Sequence, residues 1–404
     1  MVKIPLAPWP SRVYTCAMNY LNLTQTDQLV GFCQQLENQA EEKHQAWLAI
    51  DTEFVRQDTY YPLLSLVQIC TQDGQLALID PLAIEDLSSL WQLLANPKLT
   101  KVFHSARQDI EVLYQVGGLM PQNLFDTQIA SVFLGHGDMA GFARVIEAEF
   151  NTTLDKAQTR TNWHQRPLTE QQIQYALDDV RYLAPLYQKL QERLSNEQKA
   201  ALNSDFEQLL NPSLYRIDPN QAWLKVKSTK NFSKKQLGLV KALAAWREET
   251  AIALNQPRKW IISDEAIISL AKRPVSTQEG LYKVPELNAG LVRQFGAAII
   301  EQLDLAFAHP ENWPEKPQTA PAATEQEDIL RQLATSLAHQ VAANFGINLN
   351  NLIDKPSILA LIRQQPSQLD HGWRSLLLGE PLKQLLKQQA CLVIQNTEVT
   401  IKPR

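Results

Sequence analysis

The chain of 404 residues has little cysteine: Cys16, Cys33, Cys70 and Cys391 stand far apart and form no CxxC pair. Neither a disulfide framework nor a zinc finger is expected, and the four read as reduced thiols. Long apolar runs are also missing. No stretch approaches about eighteen uninterrupted apolar residues, which excludes a membrane-spanning helix. The N-terminus, MVKIPLAPWPSRVYTCAMNY, lacks the continuous apolar core of a secretory signal, so a cytoplasmic location is expected. Disorder is excluded by composition, since 45% of residues are apolar and 20% charged. At roughly 150 residues per domain, the length calls for two or three domains.

Net charge is −5, which argues mildly against nucleic-acid binding, but the charge is uneven. Residues 1–200 carry net −8 and residues 201–404 net +3, and from Lys225 to Arg273 there are eleven basic against four acidic side chains. An acidic half able to hold metal ions is joined to a half with a basic stretch.

Strand-like runs occupy Ala46–Asp51, Leu63–Cys70, Gln75–Asp80 and Lys101–Ser105. Helical periodicity marks Glu85–Ala95, Gln108–Val116, Asp126–Leu134, Ala140–Phe150 and Thr169–Leu194. This mixture predicts an α/β domain ending near 195. After about residue 210 the strand signal disappears. Helices are expected over Leu237–Leu254, Asp264–Ala271 and Asn288–Phe307; a proline-interrupted linker follows, then a further helical stretch from Glu325 to Gln388. A gapless shift of 90 residues aligns Leu243 with Leu333, Ala253 with Ala343 and Asp264 with Asp354, which reads as a diverged repeat.

The sharpest local feature is Ile50-Asp51-Thr52-Glu53-Phe54. Side chains at i and i+2 of a strand share a side, so Asp51 and Glu53 project together, and a divalent cation relieves their repulsion. Alone, a D-x-E is more often a solvent-facing strand end. Tyr175 and Asp179 are four apart and share a helix face, a pairing common on amphipathic helices. In Phe103-His104-Ser105-Ala106-Arg107-Gln108-Asp109, Ser105 reads as an N-cap and Asp109 as an acid near a helix start. His104, beside an apolar strand, is more often a core residue than a ligand. Asp126 reads as a helix cap, and Trp246 as helix core.

In this order and spacing, Asp51 and Glu53, Asp109, then Tyr175 and Asp179 resemble the three exonuclease motifs of the DEDD superfamily, in the subgroup with tyrosine in its last motif. The sister subgroup's histidine position is Gln174 here. DTEFVR, LSLVQI, ALIDPL, FHSARQDIEVL, LFDTQIAS and YALDDVRYL look like the ribonuclease D family throughout residues 46–190. Phe232–Leu305 resembles an HRDC module, and Glu325–Gln388 a second one.

The resemblance implies a ribonuclease H-like α/β exonuclease domain, a mixed sheet flanked by helices, followed by two all-α HRDC-like domains. It divides the chain into an unmatched extension 1–17, with Met18 an alternative start, an exonuclease domain 18–200, a connector 201–227, a first HRDC domain 228–307, a Pro-rich linker 308–324, and a second HRDC-like domain with a C-terminal tail, 325–404. It further implies a metal-dependent 3′-5′ exoribonuclease that releases 5′-mononucleotides by two-metal-ion hydrolysis, with tRNA precursors as substrates. Asp51, Glu53, Asp109 and Asp179 would be the metal carboxylates, hard oxygen ligands suited to two Mg²⁺ or Mn²⁺, and Tyr175 would orient the attacking water. Phe54, His104 and Phe142 are weaker candidates for the terminal nucleotide. The run Trp223–Lys235 mixes cations with aromatics; its Lys225, Lys227, Lys230, Lys234 and Lys235 are expected to grip an RNA backbone. A monomer acting on single-stranded RNA 3′ ends is expected. The rivals are a DNA exonuclease with the same chemistry and a binding protein with a dead nuclease domain.

Overall fold

The computed structural model describes residues 19–43, 45–315, 321–395 and 398–404; the extension expected at 1–17 lies outside them. Ala46–Ile50 and Leu64–Thr71 are unbroken buried runs, as strands covered on both faces must be. The first part of the chain runs β1 (Tyr20–Leu23), α1 (Thr26–Glu42), β2 (Ala46–Val55), β3 (Leu63–Thr71), β4 (Leu76–Ile79), α2 (Ser88–Ala95), β5 (Leu99–Phe103), α3 (Arg107–Gly117), β6 (Leu124–Asp126), α4 (Thr127–Ala130), α5 (Phe142–Phe150), α6 (Glu170–Arg193) and α7 (Asn196–Leu209). The six strands form one mixed sheet in the order β1-β4-β3-β2-β5-β6. Strand β2 lies inside it, antiparallel to β3 and parallel to β5.

Strands β1 and β6, four and three residues long, are too short to show a period and were not expected. The helix anticipated from Asp126 starts one residue later, with Asp126 at the end of β6. Helix α7 opens on a capping box, Ser195 with Gln198. Its Leu202 and Phe206, and Tyr215 after it, join the core of the sheet, beyond the limit expected at 200.

The remainder is helical: α8 (Lys234–Leu254), α9 (Arg258–Ile261), α10 (Asp264–Lys272), α11 (Gln278–Leu281), α12 (Ala289–Ala308), α13 (Glu325–Phe345), α14 (Leu349–Leu352), α15 (Lys355–Ile362), α16 (Gly372–Arg374) and α17 (Glu380–Leu386). The strand signal does not end with the sheet. The tail forms a hairpin of β7 (Ala390–Gln395) and β8 (Glu398–Pro403), which corrects the expectation of no strand after 210.

The two helical segments superpose in sequence at an offset of 91 residues, not 90. Capping boxes open both, Ser233 with Gln236 and Thr324 with Glu327. Both first helices end on a left-handed residue, Asn255 (φ 47°) and Gly346 (φ 66°). Side-chain N-caps recur at Ser263 and Asp354, and buried Ile261, Ile267 and Leu270 correspond to buried Leu352, Ile358 and Leu361. One residue is about 100° around a helix, and the sequence-derived offset set buried Leu243 against exposed Leu333. The copies diverge at the third long helix: α12 has 20 residues, whereas α17, starting at the equivalent point, has 7 before the hairpin takes over.

Both left-handed corners touch the exonuclease part. Asn255 Oδ1 accepts from the backbone N–H of Tyr60 (3.1 Å) and Tyr61 (3.2 Å) in the turn after β2, and the Tyr60 hydroxyl donates to buried Glu248. At the second corner the contact is backbone on backbone: a Cβ on Gly137 would meet the Gly346 carbonyl oxygen at 2.5 Å. Asn348 N–H donates to Asp138 Oδ1 at 3.1 Å beside it.

Asn255→Ala leaves two N–H groups without their acceptor and strains a positive φ, a loss of about 2–3 kcal/mol. Asn255→Gly relieves the strain alone and is expected to recover about 1 kcal/mol of that; thermal unfolding of both variants checks the order.

Candidate active site

Asp51 and Glu53 stand on the same side of β2, and α6 crosses that side with Asp179. Ligand oxygens of these three carboxylates lie within 4.8 Å of one another. Helix α6 begins at a capping box, Thr169 with Gln172, which fixes where its turns fall; Tyr175, one turn before Asp179, shares its face. Thr52, between the two strand carboxylates, points the opposite way and donates to Asp109 Oδ1 at 2.6 Å. Asp109, 7% exposed, thus approaches the group from α3 without joining the tight cluster of three.

The start of α3 is set from outside the helix. Ser105 has a left-handed φ of 67° and does not cap, contrary to expectation. Asp126, at the end of β6, accepts from Ser105 N–H (3.0 Å), Ala106 N–H (2.8 Å) and, on its own helix, Gln128 N–H (2.8 Å). One buried carboxylate therefore anchors both α3 and α4, and with α3 the position of Asp109. This is the structural role expected for Asp126.

A bulge separates Glu53 from Phe54, since Glu53 pairs with Leu66 and Phe54 with Leu64. The carbonyl of Ser65, left over in β3, accepts from Arg166 Nη2 at 2.6 Å. Arg166 also grips Asp80 with two nitrogens (2.6 and 2.8 Å) and the Trp163 carbonyl (2.8 Å). This straps the irregular segment 151–168 to the sheet. From it, buried Trp163 packs 5.9 Å from the Tyr175 ring, and Thr159 Oγ1 lies 3.4 Å from the Tyr175 hydroxyl. Thr52 sits inside the D-x-E motif and could have been suspected. Trp163, Thr159 and Arg166 lie in a segment without period, where no pattern marked them.

Burial pushes all four carboxyls above the usual range, and their neighbours add to it. Asp51 is raised by burial and then by Asp179; Asp109 by burial and then by Asp51. Glu53 is pushed up to about 10 by burial, then by Asp51, Asp179 and Asp109. Asp179 rises to about 7 through burial and Asp178. The Tyr175 phenol is raised by burial and by Asp179, so it stays protonated.

The other expected residues are placed as follows. Phe54 and Phe142 are half-buried against the sheet core. His104 uses both ring nitrogens inside the protein, with Thr127 Oγ1 and the Ala140 carbonyl each at 2.9 Å; because a carbonyl only accepts, Nε2 carries the proton. The His104 ring packs on Phe142, 5.1 Å between centroids. Lys225, Lys227 and Lys230 are exposed on the stretch before α8. Lys234 is ion-paired with Glu315, and Lys235 lies 4.6 Å over the Phe307 ring. Trp246 is half-buried and packs on Phe295, 5.9 Å between centroids, against the helical core.

The donor set fits a divalent cation. Crowded carboxylates whose ionisation is opposed by burial and by one another gain most from a bound positive charge. Gln68, which pairs with Asp51 across the ladder, is fully buried with no hydrogen-bond partner for either amide atom among the described residues. An orphaned amide beside these oxygens suits the outer lining of a hydrated ion.

For Asp179 the folded pKa of about 7 stands above the unfolded value of about 3.9. The stability contributed is full at acid pH and lost as pH rises through 7. With chelator present, Asp179→Asn is therefore expected to raise Tm at pH 8, by about 2–4 °C for each roughly 1 kcal/mol relieved. The gap should narrow towards pH 5 in thermal melts.

Residues 20–195 match the 3′-5′ exonuclease family and residues 236–303 the HRDC domain. Ribonuclease D of Pseudomonas paraeruginosa is 34% identical over 353 residues, 85% of this chain and 93% of the relative. Ribonuclease D of Bartonella henselae is 33% identical, covering 88% of this chain and 89% of its own. The crystal structure of Escherichia coli RNase D, described as an exoribonuclease involved in structured RNA processing, superposes with a TM-score of 0.77 at 30% identity, over 92% of this chain and 99% of that one. With a carboxylate centre on an exonuclease sheet, an HRDC module behind it, and relatives matched along most of both chains, the chain belongs to the ribonuclease D family.

Proposed function

We propose that this exoribonuclease hydrolyses single-stranded RNA from the 3′ end with divalent cations, releasing 5′-mononucleotides, and that tRNA precursors are among its substrates. The observation that carries this reading is the meeting of Asp51, Glu53 and Asp179 within 4.8 Å, with Asp109 and Tyr175 beside them. Mg²⁺ or Mn²⁺, two per site by family likeness, would supply activation of the attacking water and neutralisation of charge building on the scissile phosphate.

The chain's own groups have separable tasks. Asp51, Glu53 and Asp179 would hold the cations, and Asp109 would complete the set while Thr52 fixes its carboxylate. Tyr175, kept protonated, orients the water through its hydroxyl instead of accepting a proton. Trp163 and Thr159 limit the arc through which that hydroxyl swings. Behind the site, Lys225, Lys227 and Lys230 offer positive charge to the backbone of an incoming strand; Lys234 and Lys235 are drawn towards intramolecular partners and contribute less. In this reading the sheet domain performs chemistry and the helical modules hold substrate.

The test is product analysis on a 5′-labelled single-stranded RNA with Mg²⁺ or Mn²⁺ and with chelator. A metal-dependent ladder shortening from the 3′ end is expected, with Asp179→Asn slower by more than roughly 100-fold. Cleavage that persists in the variant would remove Asp179 from the site, and intact RNA beside degraded DNA of equal sequence would move the substrate to DNA.

A further inference from the structure

Two cavities differ in charge, one at the carboxylate centre and one past the end of β2. One, of about 310 Å³, is bounded by Tyr175 and Asp179 and lined also by Asp155, Glu170 and Asp178, with no cation in its wall. The other, of about 360 Å³, lies past the end of β2, where Arg56, Tyr61, Glu111, Tyr114 and Arg216 surround it. Here two guanidinium groups face one carboxylate. A polyanion leaving the centre is repelled from the first cavity and accepted by the second.

The walls of the second cavity are preformed. Arg56 is held by Glu111 (3.0 and 3.1 Å) and by the Tyr60 carbonyl (3.2 Å). The exposed Arg216 lies with its guanidinium 4.9 Å from the centre of the Tyr114 ring. Tyr61 is braced edge-on by Tyr60, 4.7 Å between centroids at 81°. Planar guanidinium and phenol groups stack with any base, and an arginine fork also takes a phosphate. Arg56 follows Glu53 by three residues, on the order of 10 Å along an extended chain, and Tyr215 in the cavity wall is near enough to Asp109 to feel its charge. The cavity therefore begins within a short reach of the scissile position. From Arg216 the chain continues into the stretch before α8 that carries Lys225, Lys227 and Lys230.

We propose that this cavity seats the nucleotides immediately 5′ of the scissile bond, with Arg216 and Tyr61 as stacking surfaces and Arg56 as a phosphate contact. Its ligand is the single strand behind the 3′ end. The assignment rests on the reading of the chain as an RNA exonuclease.

Wild type, Arg216→Glu, Arg216→Lys and Tyr61→Ala are compared in cleavage of an RNA dinucleotide and a decanucleotide that share a 3′ end. Binding of the decanucleotide is followed against salt with chelator present. Arg216→Glu is expected to raise KM for the decanucleotide about tenfold and to lower the salt slope by about one, with a far smaller effect on the dinucleotide. Arg216→Lys keeps the slope and loses part of the affinity, and Tyr61→Ala weakens affinity without changing the slope. Equal losses on both substrates, or an unchanged KM for the decanucleotide, overturn the proposal. Should wild type cleave neither RNA, the exonuclease reading fails, while the chelated binding measurements still judge the cavity on their own.

Discussion

Bringing like charges together is the constraint around which this molecule is built. Asp51, Glu53 and Asp179 meet within 4.8 Å, with Asp109 close behind, and a chain left to itself would separate them. Their positions are imposed by groups with no charge chemistry to perform. The ladder between β2 and β3 fixes the first pair, the capping box at Thr169 sets the turns of α6, and Asp126 anchors α3 by its first N–H groups. Arg166 then ties the segment that braces Tyr175 to the bulge in β3. The acids remain poised because burial and mutual repulsion hold their pKa values up.

The same negative centre opposes its own substrate, so the rest of the surface has to answer it. The charge counts of the two halves already carried this: an acidic catalytic part and a basic stretch after it. Screening limits such attraction to about 10 Å at ordinary ionic strength. Cations therefore act only at short range; Arg56 and Arg216 share one cavity wall, and the exposed Lys225, Lys227 and Lys230 follow Arg216 in the chain.

What could be read in the sequence depended on how local the rule was. Asp51 and Glu53 were legible because strand alternation is strict, and Tyr175 with Asp179 because four residues bring a helix back to the same face. Asp109 and Asp126 were recognisable as acids near helix starts, but the swap of capping from Ser105 to Asp126 needed β6, a strand too short for any pattern. Trp163 and Arg166 act from a segment without period, and Arg166 does so through Ser65 and Asp80, 101 and 86 residues earlier. The helical repeat was visible, yet its offset was wrong by one because two alanine-rich helices align almost equally well at neighbouring registers. Capping residues and left-handed corners, which define ends and not faces, fix it at 91.

Those corners carry a last implication. At Asn255 the joint to the exonuclease part is made by a side chain reaching two N–H groups, whereas at Gly346 it is made by main chain lying on main chain. The first can be graded, since different side chains at that corner would grip more or less firmly. The second has no such latitude: no atom is available to exchange and no volume to receive one, so it is either kept or lost. A lineage adjusting how firmly its helical modules stand against the catalytic sheet thus has one continuous control and one fixed point, although both sit at the same corner of one repeated frame.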